Sequence, residues 1–316
     1  MQTAAKKKIL VIKLSALGDF IQALGPMQAI RNHHKDDDIT LMTTKPFKTF
    51  GEKSGYFNDI LVDERPKITQ PLKWLNLRKK LISSEFDRVY DLQNNDRTQI
   101  YFNLFPKSKR PEWVGAAKGA SHENKNPARK AGTALEGHKM TLALAGINNV
   151  KIDTLDWLKD KGKKFDLPKS FVLLATGCAP QHPQKRWPAE NYAALGQALV
   201  KSGFTPVLIG TKDEKEINDQ IMSLCPQAIN LTEKTSLFDI AALAHNADFA
   251  IGNDTGPMHM TGPTGCKTLA LFSAHSTPSK HAPNGENVFT LQKDELKDLS
   301  LEDVKKAIFE NMGIKL

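Results

Sequence analysis

Three short segments carry the residue types that move protons and hold anions. The first, L-S-A-L-G-D-F-I-Q-A-L, follows the apolar run K-I-L-V-I-K-L at 8–14; Gly18 allows a tight turn and Asp19 opens an amphipathic helical stretch. A carboxylate just beyond a strand end lies where ligands bind in parallel α/β sheets. Ser15 or Asp19 can equally well cap the helix by accepting its free backbone N–H groups. The second segment, A-I-G-N-D-T-G-P-M-H-M-T-G-P-T-G at 250–265, reads as strand, polar turn and short helix opened by Pro257. Free N–H groups at such a helix start suit a phosphate, although an ordinary tight turn has a similar composition. His259, standing alone, fits packing or orienting better than metal ligation. In the third, T-G-C-A-P-Q-H-P-Q-K-R-W-P-A-E-N-Y at 176–192, Lys185 and Arg186 precede a helix beginning near Pro188. Two cations there suit a departing diphosphate, or else form a solvated surface pair.

Several chemistries are disfavoured. A G-x-G-x-x-G fingerprint and a P-loop lysine are missing, which lowers dinucleotide oxidoreductase and nucleoside-triphosphatase readings. Metal-ligand spacings such as H-x-x-x-H are missing as well, so neither a metal nor a cofactor is expected. Cys178, Cys225 and Cys266 are far apart and odd in number, which argues against a disulfide framework and fits a reducing cytoplasm. The start, M-Q-T-A-A-K-K-K-I-L-V-I-K-L, reads as a leader into a strand, its apolar run too short for a signal peptide. Nowhere do about 18 apolar residues run without a charge, so any membrane contact is expected to be peripheral.

The elements that must position these segments alternate. Apolar runs of strand length lie at 8–14, 38–43, 59–63 and 87–91, with helical patterns at 19–33 and 71–84. The second half repeats the series, with strands at 171–175, 205–209, 228–231, 248–252 and 268–272 and helices at 189–202, 213–224 and 236–246. Such runs, each followed by a helical period, are the signature of parallel strands buried on both faces. At 316 residues, the chain predicts two doubly wound α/β domains, 1–168 and 169–316, joined by the charged stretch 159–169. Residues 106–137, rich in Gly, Pro, Lys and Ala, read as a basic binding loop or as disorder.

Charge is one-sided. Of the net +9, residues 1–168 hold 30 Lys+Arg against 19 Asp+Glu, and residues 169–316 hold 14 against 16. The first half therefore predicts an anionic partner, nucleic acid, acidic headgroup or phosphorylated glycan, unless the excess only solubilises the surface. A silent nucleic-acid- or lipid-binding protein is disfavoured because the basic stretches lack interleaved aromatics.

Taken together, S-A-L-G-D, K-R-W-P and N-D-T-G-P-M-H, in that order over nearly the whole chain, resemble glycosyltransferase family 9, the ADP-heptose:lipopolysaccharide heptosyltransferases. The resemblance implies a GT-B fold, two Rossmann-like domains facing an interdomain cleft. Its N-terminal domain would take the acceptor and its C-terminal domain the nucleotide sugar. It implies inverting, metal-independent transfer, with Asp19 as catalytic base and Lys185 neutralising the departing diphosphate. Thr176, Gly177, Asp254, Thr255, Gly256 and His259 match the phosphate-side segments; Glu214 matches the ribose-binding acid and Thr235 the adenine side. In D-L-Q-N-N-D-R-T, Gln93 and Arg97 match the acceptor segment, Arg97 standing where the family has lysine.

The implied acceptor is an anionic glycolipid in the cytoplasmic leaflet, which would give the basic half its partner. Candidate membrane-facing residues are Lys6, Lys7, Lys8, Lys107, Lys109, Arg110, Lys118, Lys125, Arg129 and Lys130. The enzyme is expected in the cytoplasm, peripheral on the inner membrane, and without a nucleic-acid partner. Three departures from the family pattern stand out: Gly25 before Pro26, Asn94 in place of glycine, and F-S-A-H-S-T-P-S at 272–279. The last lies near the implied sugar pocket and leaves open another nucleotide sugar as donor or an unusual core as acceptor. A GT-B nucleotide-sugar epimerase is the competing reading, and the basic first half argues against it, since a small donor needs no such field.

Overall fold

The computed structural model describes residues 5–178 and 183–316. It forms two compact units, Met1–Ile152 and Asp153–Leu316. In the first, the strands are β1 (Lys8–Ile12), β2 (Asp38–Thr43), β3 (Asp59–Val62), β4 (Arg88–Asp91), β5 (Glu112–Gly115) and β6 (His122–Glu123). Their helices are α1 (Leu17–His33), α2 (Lys48–Ser54), α3 (Pro71–Ser83), α4 (Asp96–Leu104) and α5 (Ala134–Ala143). All strands are parallel, in the order β3-β2-β1-β4-β5-β6. The apolar run of β1 is central, with Ile9, Leu10, Val11 and Ile12 fully buried between the covering helices. Ile9 pairs with Ile39 on one side and Arg88 on the other.

The second unit repeats the plan. Strands β7 (Phe171–Ala175), β8 (Thr205–Ile209), β9 (Ile229–Asn230), β10 (Phe249–Asn253), β11 (Thr268–Ser273) and β12 (Val288–Lys293) lie parallel in the order β12-β11-β10-β7-β8-β9. Their helices are α6 (Ala189–Lys201), α7 (Lys215–Leu224), α8 (Leu237–Ala244), α9 (Gly256–Thr261), α10 (Pro278–His281) and α11 (Leu301–Met312). Counted from its own first strand, each sheet has the 3-2-1-4-5-6 order of a dinucleotide-type doubly wound fold. Two six-stranded parallel sheets with flanking helices are the ingredients of the GT-B class.

Two expectations are corrected. Residues 106–137 are ordered and extend the first sheet by β5 and β6, ending in α5. Trp113 of β5 is fully buried edge-on against Phe102 and Phe105, an anchor that composition alone concealed. The stretch expected to link the domains belongs to the second unit instead. A 3-10 helix, Asp156–Lys164, lies against α8, tied by the Lys164–Asp239 ion pair at 2.8 Å and by His245 Nε2 on the Leu155 carbonyl at 3.2 Å. The units therefore divide at Ile152/Asp153, ahead of Pro168.

Candidate active site

In doubly wound sheets, ligands bind beyond the carboxyl ends of the strands where the order reverses. That point lies between β1 and β4 in the first unit and between β7 and β10 in the second, and both motif clusters fall there.

Beyond β1 and β4, the backbone is held by side chains of the D-L-Q-N-N segment. Gln93 Oε1 accepts the Leu14 and Ser15 N–H groups at 2.8 and 3.2 Å, fixing the turn into α1. Asp91 Oδ1 accepts the N–H groups of Gln93 and Asn94, and Asn94, at a left-handed φ of 48°, accepts Ala116 N–H at 2.8 Å. Asn94 thereby links the β4 turn to the end of β5. Asp19 sits exposed in the first turn of α1, where the helix dipole favours a negative charge. The helix cap is Ala16, which makes no side-chain cap bond, so the capping alternative for Ser15 and Asp19 is not realised. Gly18, read as part of the turn, is the second residue of the helix.

Asp19, Gln93 and Asn94 share a cavity of about 160 Å³ with Lys13, Arg129, Lys130 and His138. Lys13 is buried, its ammonium donating to the Leu92 carbonyl at 3.2 Å. Burial lowers the Lys13 pKa, and the nearby Asp19 and Asp91 carboxylates oppose that shift. Burial likewise raises the Asp91 carboxyl. His138 is held well below 6.5 by burial and by Lys13, and its buried Nε2 meets no hydrogen-bond partner among the described residues. The pocket is thus a lining of cations around one accessible carboxylate.

Arg97 is placed differently. Its guanidinium donates to the Pro66 carbonyl at 3.3 and 3.4 Å and to Tyr101 Oη at 3.1 Å, and lies 5.7 Å from the Trp74 ring centre. Tyr101 donates onward to Asp63 at 2.6 Å, and burial pushes its hydroxyl pKa far up. Arg97 therefore clamps the loop after β3 to α4 and does not line the Asp19 cavity.

Beyond β7 and β10, Gly177, Glu214, Thr235 and Thr255 line a cavity of about 500 Å³ with Ile209, Asp213, Leu237, Ile240 and Pro257. Apolar walls with two carboxylates beside them fit a nucleoside, base against the aliphatics and ribose hydroxyls against the acids. Glu214 Oε2 accepts both the N–H and the hydroxyl of Thr211 at 2.7 Å, a capping box that fixes its carboxylate. Thr176 is buried, and its hydroxyl donates to Asn218 Oδ1 at 2.6 Å, so only its backbone belongs to the site.

Lys185 pairs with Asp254 at 2.9 Å, both side chains largely buried. Thr255, Gly256 and His259 follow in the turn and in α9. Residues 179–182 of the intervening T-G-C…N-Y segment lie outside the described residues.

Sequence reasoning missed the residue that holds this arrangement. Asn253 Nδ2 donates to the Thr176 and Gly177 carbonyls at 2.7 and 3.3 Å, while its Oδ1 accepts Trp187 N–H and Tyr192 Oη–H at 3.1 and 3.0 Å. The one signal was its place directly before D-T-G. Lys13 and His138 were missed too, although a lysine inside a doubly buried strand run was visible as a break in the pattern.

Among the described residues no three His, Cys, Asp or Glu side chains gather as a metal-binding group, and no helix is long and apolar enough to cross a membrane.

Comparison with known proteins gives a consistent result. The family model described as glycosyltransferase family 9 (heptosyltransferase) matches residues 74–308. The lipopolysaccharide core heptosyltransferase OpsX of Haemophilus influenzae is 24% identical over 306 residues, covering 92% of this chain and 86% of that protein. The solved glycosyl transferase family 9 protein of Veillonella parvula superposes with a TM-score of 0.80 at 20% identity, covering 98% of each chain. The E. coli heptosyltransferase WaaC, solved with ADP-2-deoxy-2-fluoro heptose, gives 0.74 at 18% identity, covering 96% of this chain and 99% of that one.

Proposed function

The chain belongs to glycosyltransferase family 9, and from that premise we propose that it transfers a heptose from ADP-heptose to the inner core of lipopolysaccharide, with inversion and without a metal ion. The observation that carries the reading is the Lys185–Asp254 pair beside the nucleoside-sized cavity, matched by an accessible carboxylate, Asp19, at the other unit's switch point.

In this reading, Asp19 takes the proton of the acceptor hydroxyl as its oxygen attacks the anomeric carbon. The bond from that carbon to the β-phosphate oxygen breaks, and its electron pair leaves with ADP. Lys185, with the backbone N–H groups of Thr255 and Gly256, stabilises the charge that develops on the diphosphate. Gly177 lets the diphosphate approach the backbone, and His259 orients the turn. Glu214 holds the ribose and Thr235 lies on the adenine side. Gln93 shapes the turn that presents Asp19, and Arg97 supports the acceptor side through the loop it clamps. The cations Lys13, Arg129 and Lys130 suit an acceptor carrying carboxylates or phosphates. Such a glycolipid places the enzyme on the cytoplasmic face of the inner membrane.

Two measurements test the reading. Calorimetry in EDTA should show binding of ADP in preference to UDP, GDP, CMP and NAD; a preference for UDP would turn the assignment toward an epimerase or another donor. Asp19→Asn should lower transfer by about 10³-fold while changing ADP affinity less than about twofold. Near-normal turnover in that variant would remove Asp19 from the mechanism.

A further inference from the structure

The first unit exposes an apolar cluster that no internal contact explains. Ile68, Leu72 and Leu75 are 90%, 74% and 59% exposed. They occupy the loop after β3 and the first turns of α3. The three-residue spacing sets Leu72 and Leu75 on one side of α3, opposite Leu77 and Leu81, which are buried in the core, and Ile68 stands in the turn just before the helix. Elsewhere in the described residues large exposed apolars are scattered along the chain: Ile100, Leu144, Leu224 and Phe309. A concentrated group of this kind marks an interaction surface.

The surrounding charges say what kind of surface. Lys67, Lys73, Arg78, Lys79 and Lys80 lie in the same stretch of chain and are all exposed. Among the described residues only Lys73 of these has an ion-pair partner, Glu64 at 3.3 Å. Along α3 the apolar side chains occupy the N-terminal turns, and Lys79 continues the same side one turn further. An apolar stripe flanked by unpaired lysines complements an anionic bilayer: hydrocarbon for the leucines, phosphate headgroups for the ammonium groups.

The cluster is also held outward by structure. Trp74 Nε1 donates to the Lys67 carbonyl at 3.0 Å, Gln70 N–H donates to the same carbonyl at 2.9 Å, and Arg97 fastens Pro66. The loop carrying Ile68 is thereby tied to α4, which begins just after Gln93 and Asn94. The clamp joins the exposed cluster to the turn that positions Asp19.

We propose that Ile68, Leu72 and Leu75, with Lys67, Lys79 and Lys80, form the surface by which this protein docks onto an anionic lipid leaflet. This gives a definite face to the membrane contact, distinct from Lys6–Lys8 and the segment 106–137. It rests on the proposed reading only in requiring a lipid-embedded acceptor.

The test is co-sedimentation of the full chain with vesicles of phosphatidylethanolamine and phosphatidylglycerol, and with phosphatidylcholine vesicles as the neutral comparison. Wild type should bind the anionic vesicles preferentially. The variant Ile68→Ser/Leu72→Ser/Leu75→Ser should bind at least tenfold less at every salt concentration. Lys79→Gln/Lys80→Gln should lose roughly fivefold per lysine at low salt and converge with wild type at high salt. Lys6→Gln/Lys7→Gln/Lys8→Gln should stay within about twofold. Equal vesicle binding by wild type and the serine variant overturns the proposal, as does binding abolished by the Lys6–Lys8 changes alone. Sedimentation showing a wild-type dimer that the serine variant dissociates would also overturn it, by making the cluster a contact between copies.

Transfer to a delipidated, water-soluble acceptor should be unchanged in the serine variant while transfer to vesicle-embedded acceptor falls. Failure of both acceptors with wild-type protein would count against the transfer reading and leave the vesicle result to decide docking. ADP binding equal to wild type shows that each variant is folded.

Discussion

In the proposed transfer Lys185 must lie close to the departing diphosphate, and the Asp254 carboxylate at 2.9 Å holds its ammonium in place. Removing the ammonium alone leaves that carboxylate facing the anion it had helped to admit. Lys185→Ala should therefore lower kcat by about 10²–10³-fold and also weaken ADP. Adding Asp254→Asn should recover part of the ADP affinity but none of the rate, because the repulsion is relieved while the cation is still missing. Additive losses of affinity in the double variant, by calorimetry, would show that the pair does not act as a unit. His138 makes a prediction about stability instead. Its folded pKa lies well below 6.5, so from about pH 6.5 downward the unfolded chain takes up a proton that the native protein refuses. Stability should fall as pH drops through that range, by up to about 1.4 kcal/mol per pH unit for this one group. Denaturant midpoints between pH 7.5 and 5 should show a shallower slope in His138→Gln. The slope should not vanish, since burial lowers His34 and His245 too.

The elements make their own demands at the close approaches. A Cβ at Gly177 would lie 2.3 Å from Glu214 Cγ and 2.4 Å from its carboxylate carbon. Gly177→Ala must displace the Glu214 side chain, which is held by its Thr211 cap and lines the proposed nucleoside cavity, so ADP affinity should drop by tenfold or more with little change in melting temperature. Asn253→Ala has the opposite profile. It strips partners from Trp187 N–H and Tyr192 Oη at the place where β7, β10 and α6 meet, and should cost about 3 kcal/mol in urea unfolding. The same elements show what was legible in the sequence. Strands such as β1, β7 and β10 announce themselves because burial on both faces forces unbroken apolar runs. β5 and β6 do not, being four and two residues long and set among Lys, Gly and Pro. Asp19, Lys185 and the D-T-G turn could be picked out as candidates because they follow strands, where ligands bind in such sheets. Asn253 and Lys13 were not, because their work is done through backbone carbonyls from segments far away in sequence. The exposed face of α3 was also invisible, since helical spacing alone does not tell which apolar residues meet a core.

At the scale of the whole molecule, charge is the feature that survives any choice of boundary. Divided at Ile152, the first unit holds 26 Lys+Arg against 15 Asp+Glu and the second 18 against 20, the same imbalance as a division at Pro168. Net charge acts over distances beyond contact, so it steers encounter and is weakened once the Debye length shrinks to about 10 Å at 0.1 M salt. ADP is anionic too, yet its proposed pocket lies in the unit with the slight negative excess and would rely on local cations, Lys185 beside Asp254 and Arg186 on the Cys178 carbonyl. A short-range contact of that kind is screened less than a diffuse field. Raising salt from 50 to 300 mM should therefore increase the KM for an anionic acceptor several-fold, while the Kd for ADP shifts by no more than about twofold. The comparison is best made with a water-soluble acceptor, which takes vesicle docking out of the measurement. Parallel salt dependence for acceptor and ADP would mean that local ion pairs, rather than the unequal charge of the two units, govern both encounters.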